Sequence, residues 1–175
     1  PEDLVMRKPF QDSVRQEILR ICNATKSRKS WIAVGAPWIV NKELYNAVLV
    51  IGEGKIQDVC LKHILPNYSV FDEVRVFSNG PLPVPVTIKG IDFGILICED
   101  AWSPETVSNL SNLGIDILIV INGSPFDEDK IVERQKQMSL RINKTETSLI
   151  YVNQVGGQDE LVFDGSSFVM DSYGK

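Results

Sequence analysis

Three residues, Lys62, Cys98 and Ser124, each stand just after an apolar, strand-like run. In open α/β sheets ligands bind beyond the carboxyl ends of the strands, so these are candidate chemical groups. Cys98 closes the run IDFGILIC and is followed at once by Glu99, Asp100, Ala101 and Trp102. A thiol at a strand-to-helix turn sits among backbone N–H groups that favour a thiolate and can receive a developing oxyanion. The same residue also reads as a buried core cysteine, a common place for this residue type. A lysine beside such a cysteine lowers the thiol pKa and stabilises an oxyanion; on spacing alone Lys62 reads rather as a solvated surface lysine. Glu73 can pair with Lys62 and hold it, or be a solvated loop acid. Ser124 precedes Pro125 and also fits a plain turn.

The elements that must position these groups follow from periodicity. Pro1–Phe10 reads as extended or looped, and Gln11–Arg28 as an amphipathic helix with apolar Val14, Ile18, Leu19, Ile21 and Cys22. Trp31–Gly35 predicts a short buried strand, and Asn46–Gly52 and Lys55–Cys60 a hairpin about Glu53-Gly54. Lys62–Gly80 is irregular, and the prolines of Pro81–Pro85 exclude a central strand. Val86–Lys89 and Ile91–Cys98 form a hairpin about Gly90, the second strand buried on both faces. Ser103 and Pro104 mark the start of a helix over Pro104–Leu113, and Gly114 caps its end. Asp116–Ile121 is a strand, Asn122–Asp129 a loop and Lys130–Lys144 a helix with apolar Ile131, Met138, Leu140 and Ile142. Ser148–Asn153 is a strand, Gly156–Asp159 a turn and Ser166–Asp171 a final strand. The mixture of alternating elements and hairpins predicts the α/β class, a mixed sheet with helices on one face.

With 175 residues, 43% hydrophobic and 23% charged, the chain is of ordinary globular composition and long enough for a single domain with its own core. A net charge of −5 without any basic run argues against nucleic acid or an anionic membrane as partner. No apolar stretch approaches a membrane span, and no signal peptide is visible. Cys22, Cys60 and Cys98 cannot all pair within one chain, which suits a reducing, cytoplasmic setting. Cys22 and Cys60 read as core residues. His63 is the sole histidine, so a metal site built on several imidazoles is excluded.

KHILPNYSVFDE (62–73), ICEDAW (97–102) and INGSPF (121–126), with the opening PEDLVMRKPF and the closing QVGGQDELVFDGSSFVMD, resemble the nitrilase superfamily. Within it they are most similar to the glutamine-hydrolysing domain of glutamine-dependent NAD synthetases. The resemblance implies a nitrilase-type α-β-β-α sandwich and a Glu–Lys–Cys triad. Cys98 would attack the carboxamide carbon of L-glutamine and Lys62 would stabilise the oxyanion with the backbone N–H of Glu99. Glu73 would orient Lys62. Tyr68, Ser124 and Lys130 match positions that hold glutamine. Lys130 suits its carboxylate and Glu99 its α-ammonium, and Tyr68 can pack on its methylenes. Arg134 could add to the carboxylate site or lie on the surface. A thioester would form with loss of ammonia, which a synthetase domain would use to amidate nicotinic acid adenine dinucleotide to NAD. The resemblance implies no metal for the amidase step, ATP and Mg²⁺ only in the synthetase domain, and homo-oligomeric assembly.

The pattern is incomplete. The resemblance places the general-base glutamate in a Pro-Glu-Leu segment before Pro1, and Glu2 is not its equivalent. The nitrilase domain is expected to be incomplete at both ends, with the synthetase domain beyond Lys175. General-base catalysis is worth about 10²–10⁴-fold, so a polypeptide of these residues alone is expected to show little or no glutaminase activity. A free-standing amidase or carbamoyl hydrolase shares the Lys–Cys pair, and a truncated, non-catalytic sandwich is a further alternative. Glu-Asp-Ala-Trp after the cysteine and the Ser124/Lys130 pair favour the synthetase-type domain.

Overall fold

The computed structural model describes residues 3–175; Pro1 and Glu2, on which part of the opening loop expectation rests, lie outside them. The chain forms two compact units that meet in sequence between Pro81 and Leu82. The single mixed sheet expected from periodicity is replaced by three sheets.

In the first unit, a 3-10 turn at Leu4–Met6 leads into helix α1, Lys8–Thr25. The helix begins earlier than the sequence suggested because Pro9 falls in its first turn, where its missing N–H costs nothing. Strands β1 (Ile32–Val40), β2 (Glu43–Gly52) and β3 (Lys55–Leu61) make an antiparallel sheet in that order. β2 is central, and Ala47 through Ile51 are fully buried. β1 is longer than expected and largely unburied, because it is an edge strand. That position tolerates Pro37. Asn41 and Lys42, both at positive φ, form the tight turn into β2, as Glu53 and Gly54 do into β3. Val14, Ile18, Ile21 and Cys22 of α1 pack on Val34, Ala36, Leu49 and Ile51. Buried Thr25 donates to Cys22 O at 2.8 Å and accepts Gly54 N–H at 3.0 Å, tying the helix end to the hairpin.

The second unit holds a five-stranded mixed sheet in the order β10-β7-β6-β5-β4. Its strands are β4 (Val86–Ile88), β5 (Ile91–Ile97), β6 (Ile117–Asn122), β7 (Ser148–Asn153) and β10 (Phe168–Met170). β5, β6 and β7 are parallel, and both edge strands run antiparallel to them. Helices α2 (Pro104–Asn112) and α3 (Lys130–Thr145) share a core with one face of the sheet. That core joins Leu96, Leu118, Val120, Leu149 and Tyr151 to Val107, Leu110, Met138 and Ile142. Ile131 and Leu140, expected on the apolar face of α3, are instead exposed. Ser103 caps α2 by accepting Glu105 N–H at 3.2 Å, with Pro104 in its first turn. A Cβ on Gly94 would come within 2.9 Å of Leu110 Cδ1, so glycine lets α2 approach β5. Of the predicted turn over Gly156–Asp159, all but Asp159 is strand: β8 (Val155–Gln158) pairs with β9 (Leu161–Asp164). The chain reverses at Asp159-Glu160, and Asp159 takes φ 52°.

Candidate active site

Lys62 follows β3 directly, and its side chain is 1% exposed, which removes the solvated-surface reading. Its N–H donates to Asn46 O at 2.9 Å and its carbonyl accepts Gly80 N–H at 2.7 Å, so backbone fixes it from both sides. Gly80 permits that approach, since a Cβ there would lie 2.8 Å from Leu61 O. Lys62 Nζ donates to Glu73 Oε1 at 2.6 Å, and Asn46 Nδ2 donates to the other carboxylate oxygen at 3.3 Å. Glu73 is itself held by its N–H to Pro66 O and its carbonyl from Phe77 N–H. Burying a lone ammonium is costly, and a hydrogen-bonded carboxylate is the usual compensation. The pair therefore places a fixed positive charge at a strand end. Tyr68, in the same loop, is 55% exposed and packs edge-on against Phe71 at 5.8 Å between ring centroids.

In the second unit Cys98 follows β5 with φ 48°, in the left-handed region that non-glycine residues seldom occupy. Backbone strain of this kind costs about 1–3 kcal/mol and concentrates at functional sites. The strand-to-helix turn expected at Cys98 is itself a short 3-10 segment, Cys98–Trp102, placed before α2. Buried Asp100 anchors it by accepting Ile97 N–H at 3.3 Å, and Thr106 donates to Asp100 O. Cys98 is half-buried, so the fully buried core reading does not hold; Glu99, next in the turn, is half-buried too. Cys22 is buried as expected, and Cys60 is partly so. Burial, with Asp58 adding to it, pushes the Cys60 thiol up to about 12.

Lys130 opens α3, with Nζ 2.8 Å from Glu133 Oε2 and 4.9 Å from the Trp102 ring centroid. Arg141 donates to Trp102 O at 2.7 Å. Trp102 thus joins Lys130 and α3 to the turn that begins at Cys98. Ser124 is buried, not a loose turn residue. Its N–H donates to Asn153 Oδ1 at 2.9 Å, and its carbonyl accepts from Asn153 Nδ2 at 3.1 Å.

Arg134 contradicts both readings made of it. It is 0% exposed, and its fork is fully engaged within the protein. Nε donates to Ser124 Oγ at 3.2 Å, one terminal nitrogen to both Asp164 oxygens at 3.0 Å, and the other to Ser124 O and Pro125 O at 3.0 and 2.9 Å. It clamps the Ser124 loop. Burial pushes the Asp164 carboxyl up, but hydrogen bonds from Ser166 and Arg134 outweigh that and hold it below the usual range.

Lys62, Tyr68 and Glu73 thus belong to the first unit and Cys98, Glu99, Ser124 and Lys130 to the second. Sequence reasoning missed Asn46, Asn153 and Asp164, and used Trp102 only as part of a motif. Only Trp102 carried a local signal, an aromatic residue inside the short polar stretch after the cysteine.

Residues 7–175 match the carbon-nitrogen hydrolase family. The chain is 38% identical over 176 residues to the glutamine-dependent NAD(+) synthetase of Aquifex aeolicus, covering all of this chain and 31% of that protein. The structure of glutamine-dependent NAD+ synthetase from Acinetobacter baumannii, solved with ADP, superposes with a TM-score of 0.91 at 37% identity, over 99% of this chain and 33% of that one. An amidase from Nesterenkonia sp. superposes at 0.83 with 20% identity, over all of this chain and 65% of that one, a likeness of fold. The chain spans about a third of the length of the synthetases it matches. The α/β fold is that of the nitrilase superfamily.

Proposed function

Because the chain belongs to the carbon-nitrogen hydrolase family, we propose that it hydrolyses the side-chain amide of L-glutamine through a thioester on Cys98. The ammonia serves the ATP-dependent amidation of nicotinic acid adenine dinucleotide to NAD in an attached synthetase domain. The observation that carries the reading is Cys98 held at φ 48° at the carboxyl end of a parallel strand. Similarity to NAD synthetases across the whole chain supports the choice of substrate.

In this mechanism Cys98 Sγ adds to the carboxamide carbon, and negative charge gathers on the amide oxygen. Lys62, its charge fixed by Glu73, and the backbone N–H of Glu99 stabilise that oxygen. Collapse breaks the C–N bond and releases ammonia, its proton delivered by the glutamate that the family places outside these residues. Water, giving a proton to that same residue, then attacks the thioester, which leaves free glutamate and the thiolate. No metal takes part in these steps; ATP and Mg²⁺ act in the synthetase domain. Ser124, Lys130, Glu99 and Tyr68 bind the substrate. The Lys130–Glu133 pair is 33% and 48% exposed, and such pairs are worth little, so Lys130 can exchange Glu133 for the glutamine carboxylate. A cytoplasmic, homo-oligomeric protein suits this reading; among the described residues no helix is long and apolar enough to cross a membrane.

The test compares substrates in the full-length protein. The kcat/KM for ammonia release from L-glutamine is expected to exceed that from acetamide or an N-carbamoyl amine by about 10²-fold or more, because those amides leave the charged groups of the site unpaired. Equal or faster release from the simple amides would instead establish the free-standing amidase reading.

A further inference from the structure

Tyr151 carries an unexplained buried hydroxyl. The residue is 1% exposed, and its Oη meets hydrogen-bond geometry with no described group. A buried polar group without a partner destabilises a fold, so each instance calls for a reason. The ring is pinned by stacking on Phe168, with centroids 4.7 Å apart and planes 7° from parallel. Strand register places the hydroxyl's surroundings. Leu96, Val120 and Tyr151 form one buried row across β5, β6 and β7. Cys98, Asn122 and Asn153 each follow two residues later, at the carboxyl ends of those strands. Asn122 Oδ1 is a second buried atom without a partner. The charged groups acting on Tyr151 are Cys98, Arg134 of α3 and Asp164 of β9, and Ser124 lies near. Glu99 and Asp100 follow Cys98 in its turn. Arg134 and Asp164 are committed to each other, and the Ser124 oxygen already accepts from Arg134.

Resting on the assignment of Cys98 as nucleophile, we propose that Tyr151 is a positioning residue for it: once Cys98 is ionised, the buried phenol, without an acceptor in the structure as it stands, donates a hydrogen bond to the thiolate, holding its charge and fixing the sulfur for attack. Burial, and then the negative charge of Cys98, pushes the phenol up, so Tyr151 stays protonated and able to donate at neutral pH. The same donor serves when water cleaves the thioester and the sulfur leaves with its electron pair. Tyr151 keeps its own proton in both steps.

The experiment is Tyr151→Phe in the full-length protein, with the rate of Cys98 alkylation by iodoacetamide followed against pH by peptide mass spectrometry. Cys60, with its thiol pushed up to about 12, stays unmodified near neutrality and serves as an internal control. The midpoint for Cys98 is expected to rise by about one unit, with the rate below it falling about tenfold. The thermal midpoint below the Cys98 titration should hold or rise, because the hydroxyl meets no acceptor until the sulfur is ionised. An unmoved alkylation midpoint overturns the proposal. Should Tyr151→Phe fail to fold, 3-fluorotyrosine at position 151, a stronger donor of nearly the same shape, must lower the midpoint, and no change there overturns it equally. If Cys98→Ala retains glutamine hydrolysis, the nucleophile assignment itself fails. If Cys98 is essential and the midpoint is unmoved, the role of Tyr151 alone fails.

Discussion

Lys62→Met in the full-length protein is expected to slow glutamine hydrolysis by about 10²–10³-fold, the scale of losing one oxyanion donor, and to destabilise the fold by about 3–5 kcal/mol. Both effects trace to one arrangement. Lys62 is 1% exposed and its partner Glu73 18%, with 2.6 Å between the charged atoms. Methionine fills a similar volume, so the stability loss comes from the carboxylate left without its cation. Asn46 alone, at 3.3 Å, is a weak replacement. Lys62→Met/Glu73→Gln separates the two roles. Deleting both charges should recover much of the stability, since replacing a whole buried pair is often neutral. It should recover none of the activity, since the positive charge is still missing. Urea unfolding and ammonia release measured on the two variants check this. A single variant that hydrolyses glutamine at near the unaltered rate would remove Lys62 from the mechanism.

Arg134→Met should have the largest effect on stability alone, about 3–5 kcal/mol. The substitution strands the Asp164 carboxylate and removes donors to Ser124 Oγ, Ser124 O and Pro125 O at once. Ser124 keeps its two bonds to Asn153, so its loop is loosened but not released. In the proposed mechanism this raises KM for glutamine more than it lowers kcat. Acid sensitivity offers a second readout. Asp164 is held below its usual range in the fold, so its stabilisation is complete above the ordinary carboxylate pKa and is lost as pH falls through the lowered folded value. Arg134→Met removes one cause of that lowering, so the variant's stability should depend less steeply on acid. An unchanged slope in urea titrations at descending pH would show that Asp164 does not draw its stabilisation from Arg134.

How far the sequence could be read depended on whether the signal was local. Ser103-Pro104 marked the start of α2, and the alternation in Ser148–Asn153 bounded β7 correctly, because caps and strand periodicity act over a few residues. The end of β5 at Cys98 was legible for the same reason, although its left-handed backbone was not. Errors arose where tertiary context decided. Pro37 broke the pattern of β1 and hid its outer half, which survives only because β1 is an edge strand. Gly156 and Gly157 read as a turn but pair with Phe163 and Val162. Arg134 looked like a surface charge because its partners lie at Ser124 and Asp164, far away in sequence. Lys62 and Glu73 could be named as a pair, but not as a buried one, since the residues that hold Lys62 in place, Asn46 and Gly80, lie far from it along the chain. Tyr151 gave no signal at all: along the chain it is one more aromatic residue in a strand.

That Cys98 is the nucleophile attacking the glutamine carboxamide can be read by acid-quenching the full-length protein during turnover of L-glutamine and weighing the peptide that carries Cys98. A γ-glutamyl thioester is expected on that peptide, and in Cys98→Ala neither adduct nor ammonia above background. Ammonia release by Cys98→Ala at a rate close to that of the unaltered protein would contradict it.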